Sequence, residues 1–194
     1  MNQMSTAAAA RPEKSEYPIY CEGYVSRVPD GDIVGTLSKQ LEETLALIHG
    51  IPEARGGFRY AEGKWSIKEL IGHVIDSERV FAYRALRFGR GDATPLSGFE
   101  QDDFVRGADF DKRSLSDLAS EYEHVRRATI SLFANLDEAA WNRRGAANNN
   151  EVSVRGLAFI MAGHVRHHMN VLRERYLEGA RASTPAEMKS EPPA

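Results

Sequence analysis

Apolar residues recur at three- and four-residue steps in four stretches of this chain, and each stretch is bounded by residues that start or stop a helix. Ile33, Leu37, Leu41, Leu45 and Ile48 trace one stripe, with Asp30 or Asp32 as its cap and Gly50 and Pro52 as its stop. A second stretch opens at Ser66-Ile67-Lys68-Glu69, a capping box with Ser66 at the N-cap and Glu69 at the third position, and runs to about Phe88. A third opens at the looser box Ser114 to Asp117 and continues through Leu118, Tyr122, Val125, Thr129, Leu132 and Phe133 to about Leu136. Ser153 caps a fourth, which ends near Leu177 with Gly179 beyond it. No convincing two-residue alternation and no internal repeat interrupts this pattern. It predicts an all-α fold, a four-helix bundle.

The segments between the helices differ in character. Residues 1–15 are alanine-rich and then polar, and predict a disordered arm; 179–194, with three prolines, predict a disordered tail. The folded domain is therefore expected over 16–178. Tyr17, Ile19, Tyr20, Tyr24 and Val25 are too apolar for a free linker, so Tyr17 to Val28 should lie against the bundle as an irregular strap. Gly89 to Lys112 is long for a bundle connection, and Phe99, Phe104 and Phe110 indicate that it packs, with room for one short helix. Asn148-Asn149-Asn150 reads as loop.

Composition changes this picture only by exclusion. A net charge of −3 gives no basic face for nucleic acid and no polybasic membrane anchor. No apolar run approaches the roughly 20 residues of a membrane span, and the start lacks the basic region of a secretory signal. Cys21 is the single cysteine, so neither an intrachain disulfide nor a thiolate metal site is available. A cytoplasmic location is the expectation.

The chemistry concentrates on histidines. Advancing about 100° per residue, His73 falls at the edge of the second helix's apolar sector, near Ser77 and Arg84, while Glu78 falls inside it. On the fourth helix His168 lies within the inward stripe, His164 on its border, and His167 points elsewhere. His164 and His168, spaced i, i+4, share one side of that helix. If the two helices pack together, three imidazoles converge on one divalent cation and leave a position for water or substrate, as in catalytic zinc sites. Glu78 is the candidate general base, ahead of Asp76, which turns away. Arg175, also read as inward, is a candidate counter-charge for Glu78. Glu121-Tyr122-Glu123-His124 matches half of a di-iron element, but its companions are missing, and a solvated helix face explains it better. Zincin, nucleophile-elbow, P-loop and dinucleotide motifs do not occur.

Gly63-Lys64-Trp65-Ser66-Ile67-Lys68-Glu69-Leu70-Ile71-Gly72-His73-Val74-Ile75-Asp76-Ser77-Glu78-Arg79 resembles the second-helix motif of the DinB-like (YfiT-like) metalloenzyme family. Gly163-His164-Val165-Arg166-His167-His168, continuing to Arg175-Tyr176-Leu177, is similar to that family's last helix. The resemblance spans about 20–178 and includes Phe99-Glu100-Gln101-Asp102. It implies a divalent-metal site at His73, His164 and His168, the set that the helix phases also select. It implies relatives that include hydrolases and thiol-dependent transferases and isomerases, and homodimers among them. Imidazole ligands suit zinc, copper, iron and nickel alike, and zinc or nickel is the expected metal. The resulting expectation is a metal-dependent hydrolase or thiol-dependent transferase acting on a small molecule, with a low-molecular-weight thiol as a candidate partner. The alternative is a non-catalytic metal-binding or stress-response interaction module.

Overall fold

The computed structural model describes residues 10–178. Residues 1–9 of the expected arm and the tail at 179–194 lie outside the described residues. The rest of that arm is not free. Arg11 donates from Nε to Asp30 Oδ1 at 2.6 Å and from Nη1 to the Val25 carbonyl at 3.0 Å. Glu16, the first residue of the expected domain, is buried and accepts from Ser153 Oγ at 2.7 Å. Charged side chains hold this stretch, which is why its hydrophobic pattern did not reveal it.

The strap is more regular than expected. A 3₁₀ turn over Ile19–Cys21 leads into the one-turn helix α1 (Glu22–Val25), and Tyr17, Cys21, Val25 and Val28 bury their side chains. The four long helices follow as predicted: α2 (Ile33–His49), α3 (Ile67–Gly89), α5 (Leu115–Ala134) and α7 (Val154–Val171). Three of the four starts are fixed by side-chain caps. Ser66 Oγ accepts from the Glu69 amide at 3.0 Å while Glu69 Oε2 accepts from the Ser66 amide at 2.7 Å, completing the capping box. Ser114 and Ser153 cap α5 and α7 in the same way. Asp32 stands at the N-cap of α2, but its side chain makes no capping bond.

In the bundle α2 packs beside α5 and α7, and α3 packs beside α5 and α7. Helices α2 and α3, consecutive among the four, are thus diagonal partners, as are α5 and α7. Long connections make these diagonals possible. One runs over 50–66; the other, over 135–153, carries α6 (Glu138–Asn142) and a hairpin of β1 (Arg144–Ala147) and β2 (Asn150–Ser153). The hairpin departs from the all-helical expectation. Its turn places Asn148 and Asn149 at φ of 51° and 58°, left-handed values that asparagine tolerates. Helix α4 (Gln101–Ala108) is the short helix expected between Gly89 and Lys112. Beyond α7 the chain continues as a π-helix over Leu172–Glu178. No helix among the described residues is long and apolar enough to cross a membrane.

The apolar interior forms two clusters. One contains Ala85, Phe88, Phe133, Trp141 and the 157–162 face of α7; the other contains Ile67 to Ile75, Tyr122, Val165, Met169 and Tyr176. Between them lies a layer of polar side chains, and the histidines belong to that layer.

Candidate metal centre

Because α3 and α7 are neighbours, His73 faces the His164 and His168 pair. His73 Nε2 and His168 Nε2 each lie 3.1 Å from His164 Nε2. One nitrogen from each ring falls within 4.8 Å of the other two. The structure thus brings together all three histidines expected as ligands. Their burial order is the reverse of the helix-phase reading: His164 is buried and His168 only half-buried. The cause is the strap. Tyr24 packs edge-on against His164 at 5.4 Å and against His167 at 5.6 Å, covering the border of the stripe. Trp65 lies 4.7 Å from His73 and Phe81 5.7 Å from His164, ring centroid to ring centroid.

Burial governs the protonation of these rings. Loss of water pulls His73 down to about 4 and His168 down to about 3, and takes His164 well below its ordinary 6.5. His164 is further opposed by the neighbouring imidazoles and by Arg126. At neutral pH all three are uncharged, the state in which imidazole donates a lone pair to a metal. Two nitrogens 3.1 Å apart, each at a bond length of about 2.0–2.1 Å from one cation, subtend about 100°. Donor type, protonation and spacing therefore fit a divalent cation. Ser77 Oγ lies 3.5 Å from His73 Nδ1, at the outer limit of a hydrogen bond that would orient the ring.

Glu78, expected as the general base, is elsewhere engaged. Its two oxygens accept from Arg126 Nε and Nη2, both at 2.7 Å, and both side chains are fully buried. It lines neither cavity beside the histidines. The partner is Arg126 of α5 and not Arg175, which is exposed. The wider π turn advances each residue by a smaller angle than the α-helical phase assumes, and this carries Arg175 out to solvent. Arg126 Nη1 also donates to Gln40 Oε1 at 3.0 Å, and Gln40 Nε2 donates to the Ala162 carbonyl at 2.8 Å. One polar network therefore joins α2, α3, α5 and α7.

Two cavities open on the histidines. The first, of about 340 Å³, is bounded by His73 and His164, by Tyr24 of the strap, and by Arg84 and Glu100. The second, of about 480 Å³, is bounded by His168, Trp65, Tyr60 and Asp102. Gln101 belongs to both walls. The long connection between Gly89 and Lys112 thus supplies Glu100, Gln101 and Asp102 to the cavity walls. Sequence reading had placed Arg84 on the phase of His73 without giving it a role.

Residues 36–172 match the DinB superfamily. None of the curated proteins matches the chain. Among solved structures, YfiT from Bacillus subtilis, described as a "probable metal-dependent hydrolase with an unusual four-helix bundle topology", is similar with a TM-score of 0.64 at 13% identity, over 88% of this chain and 91% of that one. A mycothiol-dependent maleylpyruvate isomerase is similar with a TM-score of 0.60 at 15% identity, over 75% of this chain and 61% of its own length. A DinB-like protein from Bacillus subtilis gives a TM-score of 0.56 at 21% identity, over 79% and 95%. At these identities the likeness shows a shared fold.

Proposed function

The chain belongs to the DinB superfamily, and from that premise we propose that it is a divalent-metal-dependent enzyme, a hydrolase or thiol-dependent transferase, with His73, His164 and His168 as its ligands. The observation that carries this reading is the convergence of three uncharged imidazoles beside two cavities. A divalent cation held there, zinc or nickel, supplies Lewis acidity that lowers the pKa of a coordinated water or thiol. The protein's part is to shape the surroundings. Trp65, Phe81 and Tyr24 limit water around the imidazoles. With Glu78 tied to Arg126, proton acceptance falls to Glu100 or Asp102, the carboxylates that line the two cavities. Separate cavities on the His164 and His168 sides support two small reactants, one of them a low-molecular-weight thiol; a mycothiol-dependent enzyme of like fold supports the same choice. A cytoplasmic homodimer belongs to the same proposal.

Protein purified without an affinity histidine tag should carry a divalent cation, measured by elemental analysis, and His164→Ala or His168→Ala should lose tight binding. Stoichiometric metal in the double variant would overturn the assignment. X-ray absorption showing a shell closed by four protein ligands would instead favour the non-catalytic metal-binding or stress-response module.

A further inference from the structure

Arg84 is only 8% exposed, yet among the described residues no carboxylate pairs with it. Within that same set of residues its hydrogen bond runs from Nη2 to the Ser97 carbonyl at 3.0 Å. The other deeply placed arginines differ: Arg126 is forked onto Glu78, and Arg155 onto Glu16. Of the neighbours that act on Arg84 electrostatically, Tyr20 brings a phenol and not a carboxylate, and burial pushes the Cys21 thiol up to about 11, so that it is neutral at pH 7. Burial also pulls the Arg84 guanidinium down from its ordinary value, but such a group stays charged at neutral pH. A buried cation without a counter-charge is unfavourable unless something else supplies the anion.

Its position indicates what that anion is. His73, Ser77, Phe81 and Arg84 follow at steps of four, four and three on α3, and all four line the first cavity. Arg84 therefore stands about 16 Å along the helix axis from His73. Helical side chains generally tilt toward the N-terminus, an arginine reaching further than a histidine, so the two groups lie roughly 10–16 Å apart. No lysine and no second arginine lines this cavity among the described residues, and Glu100, exposed, adds a negative charge to the wall. One guanidinium edge matches one carboxylate. A phosphate dianion would be left under-neutralised.

We propose that Arg84 anchors a substrate carboxylate, so that this site takes elongated carboxylic acids whose reacting group lies at the histidines, roughly 10–16 Å from the acid. This deepens the metal-enzyme reading and rests on it for the identity of the reacting end.

The test titrates the full-length, metal-free protein calorimetrically with octanoate, octanol and octyl phosphate. Octanoate should bind at least 10-fold more tightly than octanol, in line with a charge-assisted hydrogen bond. Arg84→Met should abolish that preference and Arg84→Lys should retain part of it. Should Arg84→Met fail to fold, the wild-type ratio and Arg84→Lys decide. Equal binding of octanoate and octanol, or a preference unchanged in Arg84→Met, overturns the proposal. Tighter binding of octyl phosphate overturns the carboxylate assignment. In cobalt-loaded protein, 8-mercaptooctanoate should give thiolate-to-cobalt absorption with an Arg84-dependent affinity, whereas 8-mercaptooctanol should give the band without that dependence. Absence of cobalt uptake together with an intact octanoate preference would overturn the metal reading and leave the anchor standing.

Discussion

Glu78 and Arg126 meet with both side chains fully buried, and their removal should be felt in stability. Glu78→Ala leaves a guanidinium in the interior with only Gln40 and the Leu37 carbonyl as acceptors. Denaturant unfolding of this variant should show a loss of about 3–5 kcal/mol. The double variant Glu78→Leu with Arg126→Met should recover most of it, because apolar residues of similar volume replace a buried pair at little cost. If Glu78→Ala instead left stability intact and abolished turnover, Glu78 would return as a candidate base. The inward place of Glu78 was legible from helix phase; its partner was not singled out. Yet Arg126 lies four residues after Tyr122 and seven before Phe133, on the stripe that α5 buries. The error lay in giving Arg175 an α-helical phase beyond the point where α7 gives way to a π-helix.

Among the elements, the long helices were readable because each carries a stripe, and α3, α5 and α7 add a cap that the structure uses. The hairpin was not. Arg144-Gly145-Ala146-Ala147 carries no β-branched residue, and its pairing with β2 follows from the asparagine turn and from burial against α3 and α7. The seating of the strap was equally hidden, since it depends on a missing side chain. At Gly163 an added Cβ would run into the carbonyl and Cα of Tyr24, backbone atoms that cannot swing aside. Gly163→Ala should therefore lower stability by about 1–3 kcal/mol. It should also weaken metal binding, because Tyr24 covers the adjacent His164. Unchanged melting and unchanged metal affinity in this variant would show that the strap is not seated by that contact.

Across the whole molecule, the histidines and the Arg126 network form a polar stratum between two apolar cores, and this stratum makes the fold sensitive to acid. His73 and His168 sit at about 4 and about 3, below the ordinary 6.5, so the unfolded chain takes up protons first as pH falls. Their contribution is present above about 6.5 and is lost as pH drops toward 4 and then 3, by up to about 1.4 kcal/mol per pH unit for each histidine. Metal-free protein should accordingly unfold at lower denaturant concentration at pH 5 than at pH 7.5, and a cation should raise the midpoint at pH 7.5 by mass action. A midpoint independent of pH over this interval would contradict the burial of neutral imidazoles.

The strap carries a consequence for how this architecture diversifies. The superfamily match begins at residue 36, whereas Pro18, Tyr20, Cys21 and Tyr24, which wall the cavity beside His164, lie upstream of it. The three-histidine half of the pocket thus lies inside the matched segment, and part of the facing wall precedes it on a leader seated at Gly163 against main-chain atoms. On that leader the exposed Tyr20 can be exchanged without disturbing the buried Cys21 and Val25 that seat it, so the cavity wall can change while the three histidines stay in place. Grafting another family member's leader onto this bundle is the direct way to move one without the other.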